Sequence, residues 1–331
     1  VTRPIFGRVV PERWRTTGAT APGQRTVGEP GTARIAVDLL GGDQAPAVVV
    51  DGALRACRAD PSLQLTLVGP AEAADAVLAA LKPAERRRVT TAITPTDTVH
   101  GAVRAVAEGR ADALVSAGDT RSLVLSAARE LGRWPGIRRP ALTAVLPTAA
   151  GRLVLLDVGS SVDPDEETLA WHARLGAAYA SVVHRIAAPR VGLLTIGTEP
   201  GKGDRLRRAL PAKLYDMPLP AGARYAGLVE GGDVVLGRAA DVVVTDGFTG
   251  NVLLKGLETA YALTGPPSPD TAPPPRAALL LGVSGTVIVC HGAAGGPDLA
   301  AGIAHAADLH RRGSVAAIAD LLRAQRGIAH E

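Results

Sequence analysis

The feature that most constrains this chain is a rhythm. From residue 34 onward, short apolar runs of strand length alternate with stretches of helical spacing. "RIAVDLL" (34–40), "LQLTLVG" (63–69), "ADALVSAG" (111–118), "RVGLLTI" (190–196), "RYAGLVE" (224–230), "ADVVVTDG" (240–247) and "TVIVCHG" (286–292) read as strands. Several are apolar on both faces, which a strand tolerates only when both faces of its sheet are covered. Helical patterns separate them, the longest being "DEETLAWHARLGAAYASVVHRI" (165–186), acidic at its start and basic near its end as the helix dipole favours. "PALTAVLPT" (140–148) and "GRLVLLDVG" (151–159) lie close enough to form a hairpin. The pattern predicts an α/β fold, a three-layer α/β/α sandwich around a mostly parallel sheet.

The ends of the chain look different. Residues 1–32 are polar, basic and rich in Gly, Pro and Thr, without the apolar core of a secretory signal. They read as a disordered tail, and residues 33–331 as one domain. The chain opens on Val, which suggests a non-standard start codon or a gene start placed too early. "PPSPDTAPPPR" (266–276) is a proline-rich linker that cannot be helical. With aromatics at only 3% of 331 residues, the core must be built from Ala, Val and Leu.

Charge and cysteine usage exclude several function classes. The net charge is +4 and the arginines are dispersed, so pairs such as Arg207–Arg208 read as solvated helix faces. Nucleic-acid binding would want a basic stripe with stacking aromatics, and neither is present. The mild positive charge is compatible with an acidic carrier or an anionic membrane surface. Two distant cysteines, Cys57 and Cys290, fit a reducing, cytoplasmic setting. No HExxH, CxxC or His/Cys cluster points to a metal.

In open α/β sheets, ligands bind at loops leaving the carboxyl ends of strands. Those loops share one composition here. They carry Asp38, Gly41, Gly42 and Asp43; Ser116, Gly118, Asp119 and Thr120; Asp157, Gly159 and Ser160; Gly201, Lys202 and Gly203; Asp246, Gly250 and Asn251; and His291. Small residues let a backbone approach a ligand closely, and the helices that follow offer free N–H groups to an anion. Such loops gathered at one sheet edge would make an anion site, with Lys202 as its cation.

"GTEPGKG" (197–203) is one residue short of a P-loop and has Gly203 in place of the magnesium-binding hydroxyl, so kinase or ATPase chemistry is rejected. "GGDQAP" and "AGDTRS" are not the dinucleotide fingerprint, and no GxSxG elbow exists. Neither a metal nor a cofactor is expected. An anion site and a cation without nucleophile, metal or nucleotide suit attack by bound phosphate on an activated carbonyl such as a thioester.

Seven blocks, "IAVDLLGGDQAPAVVVDGAL", "ADALVSAGDTRSL", "LGRWPGIRRPALTAVLPT", "LLDVGSSVD", "RVGLLTIGTEPGKGDRL", "YAGLVEGGDVVLGRAADVVVTDGFTGNVLLK" and "LLGVSGTVIVCHGAA", resemble in order the signature blocks of the PlsX family. The resemblance runs from about residue 34 to about residue 295 and implies an acyl-acyl carrier protein:phosphate acyltransferase of phospholipid and fatty acid metabolism. It further implies a fold like that of isopropylmalate dehydrogenases and phosphotransacetylases, a homodimer, and peripheral association with the inner membrane face. The partners implied are acyl carrier protein and inorganic phosphate. By position, Lys202 matches the family's GKG lysine and Asn251 its GN asparagine, which implies catalytic roles for both. The other loop residues named above would bind substrate or phosphate.

Three departures qualify this. "SAGDTRS" stands where the family has SAGNTGA, placing a carboxylate at Asp119 and a cation at Arg121. A KKDSS-type stretch is absent from "TPTDTVHGAVRAVAEG" (94–109). The proline-rich linker replaces a helical hairpin used for dimerisation and membrane contact. These departures motivate an alternative: a catalytically impaired member that binds acyl carriers or regulates.

Overall fold

The computed structural model describes residues 31–94, 96–199, 201–267 and 276–328. The expected tail, except Gly31 and Thr32, and most of the proline-rich linker lie outside these residues.

Among the described residues, eleven strands form one sheet. They are β1 (Ala33–Asp38), β2 (Leu63–Gly69), β3 (Val89–Ile93), β4 (Ala113–Ser116), β5 (Ala141–Thr148), β6 (Gly151–Leu156), β7 (Arg190–Leu194), β8 (Arg224–Val229), β9 (Val242–Val244), β10 (Ala277–Leu281) and β11 (Thr286–Cys290). The first helices are α1 (Ala47–Ala59), α2 (Ala71–Ala80), α3 (Pro83–Arg86), α4 (Thr98–Ala107) and α5 (Thr120–Glu130). After the hairpin come α6 (Glu166–His184), α7 (Arg205–Asp216), α8 (Gly231–Leu236) and α9 (Gly247–Thr264), and the last two are α10 (Gly296–Arg311) and α11 (Ser314–Ile328).

The strand order is β3-β2-β1-β4-β11-β10-β5-β6-β9-β7-β8. Seven of the ten pairings are parallel. The other three, β11–β10, β10–β5 and β5–β6, are antiparallel and sit together at the centre. The expected hairpin is β5–β6, closed across Thr148 and Gly151. Two strands escaped the sequence reading. β3 carries exposed Thr90 and Thr91 at the sheet's edge, so its apolar signal is weak. β10 begins directly after the proline-rich stretch.

The core follows the pleat. Ile35 and Val37 of β1 point into one apolar cluster with α1, α6 and α10, while Ala36 between them points into the other. Leu253, Leu254 and Leu257 place α9 on that second face, together with α4 and α5. Cover on both faces is what strands apolar on both sides require.

The direction of the strands has a consequence for function. Because the three central pairings are antiparallel, β6, β9, β7 and β8 run opposite to β3, β2, β1, β4 and β11. The loops expected at a single edge therefore divide into two groups, one at the carboxyl ends of each parallel half.

Candidate active site

The first group gathers around Asp38 at the end of β1. This buried carboxylate accepts a hydrogen bond from Ser116 Oγ (2.6 Å) and another from the Leu40 N–H (3.1 Å). Ser116 Oγ in turn accepts from the Gly118 N–H (3.0 Å). Gly41 packs on Ala117 and Gly118, and the Asp43 N–H donates to the Gly292 carbonyl (2.8 Å), with Gly42 beside it. The three neighbouring strands β1, β4 and β11 thus bring Asp38, Gly41, Gly42, Asp43, Ser116, Gly118 and His291 to one corner. His291 is exposed, and its Nδ1 accepts from the Ala293 N–H (3.1 Å).

Asp119 has a plain local task. It is the N-cap of α5, accepting from the Ser122 N–H (2.8 Å), and its contacts with Ser122 hold its carboxyl below the usual carboxylate range. Its negative charge sits on the positive end of a helix.

The second group centres on Asp157, fully buried after β6. Its Oδ1 accepts from the N–H groups of Leu142 (3.0 Å), Gly159 (3.2 Å) and Ser160 (3.0 Å). Its Oδ2 accepts from Ser160 Oγ (2.8 Å) and the Ser161 N–H (2.7 Å). The start of α9 is pressed onto this loop. A Cβ on Gly250 would lie 2.0 Å from the Asp157 carbonyl oxygen, so no larger residue fits that position. Asn251, one residue on, donates from Nδ2 to the Val158 carbonyl (3.0 Å).

Asp246 is the N-cap of α9, accepting from the Thr249 N–H (2.8 Å) and the Thr249 hydroxyl (2.8 Å). It also pairs with Arg207 of α7. The sequence reading took Arg207 for a solvated residue, but it is buried. Its guanidinium reaches the Leu194 carbonyl (3.1 Å), Thr245 Oγ1 (2.9 Å) and Asp204 (2.8 Å) besides Asp246. Only its neighbour Arg208 is exposed. No residue spacing distinguishes the two; the signal is that Arg207 faces the strand ends from the first turn of its helix.

The loop with Gly201, Lys202 and Gly203 is less enclosed. Gly201 and Lys202 are exposed, and the Lys202 N–H donates to the Glu199 carbonyl (3.2 Å). Gly203 lines a cavity of about 500 Å³ with Ile196, Arg207, Phe248 and Val252. On the other side of α9 lies a groove of about 280 Å³, between that helix and β5, β10 and β11. Thr120, Asn251 and His291 all line it, so it joins the two loop groups. The first turns of α9 therefore stand between the two cavities.

Sequence reasoning also passed over Glu258, Tyr261 and Arg276 at the far end of this groove. Burial pushes the Glu258 carboxyl up, against the opposing pull of Arg276 and His291. The Tyr261 hydroxyl is buried without a hydrogen-bond partner among the described residues. Among the described residues there is also no group of His, Cys, Asp and Glu that could hold a metal ion, and no helix long and apolar enough to cross a membrane. Both cysteines are buried free thiols, and burial raises Cys290 to about 12.

Comparison with solved structures places the fold. The chain superposes on EutD phosphotransacetylase from Staphylococcus aureus with a TM-score of 0.56 at 16% identity, covering 84% of this chain and 94% of that one. A branched-chain phosphotransacylase from Enterococcus faecalis gives 0.58 at 17% identity, covering 84% and 99%. At such identities the likeness concerns architecture alone. Sequence relatives are much nearer. A phosphate acyltransferase of Thermobifida fusca is 41% identical over an alignment of 335 positions, which covers 89% of this chain and 91% of the relative. One from Bacillus cytotoxicus is 42% identical over 244 residues, 70% of this chain and 72% of the relative. The family model described as fatty acid synthesis protein matches residues 33–265, and the chain belongs to that family.

Proposed function

We propose that this protein is a phosphate acyltransferase that makes acyl phosphate from an acyl-carrier thioester and inorganic phosphate. The observation that carries the reading is the groove lined by Thr120, Asn251 and His291, which runs along α9 from one glycine-rich loop group to the other. Relatives at 41–42% identity bear the name of that activity.

The chemistry asks little of the protein in covalent terms. A phosphate oxygen attacks the thioester carbonyl carbon, a tetrahedral oxyanion forms, and the C–S bond breaks. The carrier leaves as a thiolate that takes a proton from solvent. Phosphate is already nucleophilic at neutral pH, so holding, orienting and oxyanion stabilisation suffice. In this reading Lys202 neutralises phosphate or the oxyanion. Asn251, fixed by its bond to the Val158 carbonyl, orients the thioester carbonyl with its remaining amide donor. Thr120 and His291 line the same groove, His291 toward its Glu258 end. Asp38, Asp157 and Asp246 act as positioning residues, since their oxygens are taken up by the loops they hold.

The alternative of an impaired binding module rests in part on Asp119, and that carboxylate is engaged in capping α5. We read the enzyme as cytoplasmic, with weaker membrane contact and dimerisation than the family implies, because a proline-rich segment takes the hairpin's place. The direct test is release of free thiol from acyl carrier protein with and without inorganic phosphate. Phosphate-dependent release with acyl phosphate as product is expected. No release from any of several loaded carriers would overturn the reading.

A further inference from the structure

The middle of the groove along α9 differs in chemistry from a phosphate site. Its floor is one face of the central strands, formed by Leu142, Ala144, Leu146, Ala278 and Val289, all buried and apolar. Its wall is a single stripe of α9, with Asn251, Leu254, Glu258 and Tyr261 spaced three, four and three residues apart. At 1.5 Å rise per residue, that stripe runs about 15 Å from Asn251 to Tyr261. Polar groups lie at its two ends, and the middle is aliphatic. The floor also carries two alanines, Ala144 and Ala278, which give it depth beside leucines.

We propose that this groove holds the acyl chain of the substrate, with the carbonyl at Asn251 and the tail running toward Tyr261, and that Ala144 and Ala278 set the chain length accepted. The proposal rests on the phosphate acyltransferase reading. A flexible aliphatic chain is the occupant that fits. The space is elongated and too small for a protein segment of any size. Its floor offers no side-chain donor or acceptor to a nucleotide or sugar. Its volume of about 280 Å³ is that of on the order of nine water-sized groups, and a methylene is close to water in size. A chain that outgrows the groove meets Glu258 and Tyr261, whose carboxyl and unpartnered hydroxyl make poor neighbours for further methylenes. The enzyme therefore prefers medium chains to long ones.

The experiment measures kcat/KM across acyl carriers of increasing chain length for the wild type, Ala278→Leu and Ala262→Trp. The second variant changes an exposed position at the groove's far rim, so it tests the proposal even if the first folds poorly. Each should lower the ratio of long-chain to short-chain kcat/KM at least tenfold, the effect of excluding about two buried methylenes. Calorimetric titration of decanoate, without carrier or phosphate, should show one bound molecule and at least tenfold weaker binding to Ala278→Leu. Acyl transfer with an unchanged chain-length profile in both variants would overturn the groove assignment and leave the reaction standing. Decanoate binding that the variants weaken, in a protein showing no acyl transfer, would overturn the reaction and keep the groove.

Discussion

Asp157 and Lys202 belong to loops on the same half of the sheet, and the two loops are held in opposite ways. The Asp157 loop is pinned from every side. Five donors converge on one buried carboxylate, and the backbone of α9 lies against the loop with no room for a single methyl group. Among the described residues, the Lys202 loop has few ties. Ile196 at its start is 83% exposed, and a Cβ on Gly201 would touch nothing within 4 Å. The pinned loop fixes where Asn251 stands, and the open loop leaves its lysine free to follow an anion. Preorganisation serves the group that must meet a carbonyl at one angle. A long flexible cation needs less of it.

The sharpest way to break this contrast is Gly250→Ala. A Cβ there would sit 2.0 Å from the Asp157 carbonyl oxygen, and backbone on both sides must move to admit it. Overpacking of this kind should destabilise the protein by about 3 kcal/mol or more and abolish activity in whatever remains folded. Chemical denaturation with a thiol-release assay on the same sample checks both. A variant of unchanged stability would mean that the junction is looser than its geometry.

Lys202→Ala should do the reverse. Removing the cation costs on the order of 10²- to 10³-fold in kcat if it meets developing negative charge, the scale of a lost oxyanion donor. The denaturation midpoint should stay where it is, because the side chain is exposed. A variant that lost stability but kept its turnover would reverse the roles given to the two loops.

Much of this contrast was legible beforehand, and some was not. Strand existence was legible where both faces are buried, as in β1 and β4, since apolar runs bounded by glycines leave few alternatives. Strand direction was not. Apart from the expected β5–β6 hairpin, the reversals at β10 depend on pairings such as Leu279 with Thr143, far apart in sequence, and a local pattern carries no trace of them. The site shows the same divide. Small and acidic residues marked loops that do follow strands, yet most of those aspartates are caps and pins. Arg207 was missed because a buried arginine and a solvated one read alike in sequence. The groove went unseen because its floor is ordinary core sequence, and it opens only where α9 stands off from the sheet.

The pinned side also makes a prediction about pH. Burial alone would raise the Asp246 carboxyl, but hydrogen bonds from the Thr249 N–H, from Arg207 and from the Thr249 hydroxyl together hold it below the usual carboxylate range. A carboxyl depressed by folding contributes stability that is fully present above its unfolded pKa of about 3.9. That contribution is lost as pH falls through the lower folded value. Wild type should therefore lose stability below about pH 4 more steeply than Asp246→Asn, which has no proton to take up there. Parallel acid slopes in urea melts at pH 5, 4 and 3 would show that the Arg207 pair does not respond to acid.

Gly201→Ala is the mildest probe and isolates the open loop most cleanly. Gly201 has φ near +84°, and its missing side chain faces open space. Alanine there meets no clash and bears only the backbone cost of a left-handed conformation, about 1 kcal/mol. That cost can be relieved by a small change in a loop with few ties, so the measured loss of stability should be about 1 kcal/mol or less. Turnover should fall only as far as the lysine is displaced, well short of the loss in Lys202→Ala. A stability loss several times larger would mean that the loop is held in its conformation by contacts as firm as those around Asp157, and the division between a pinned and an open side would fail.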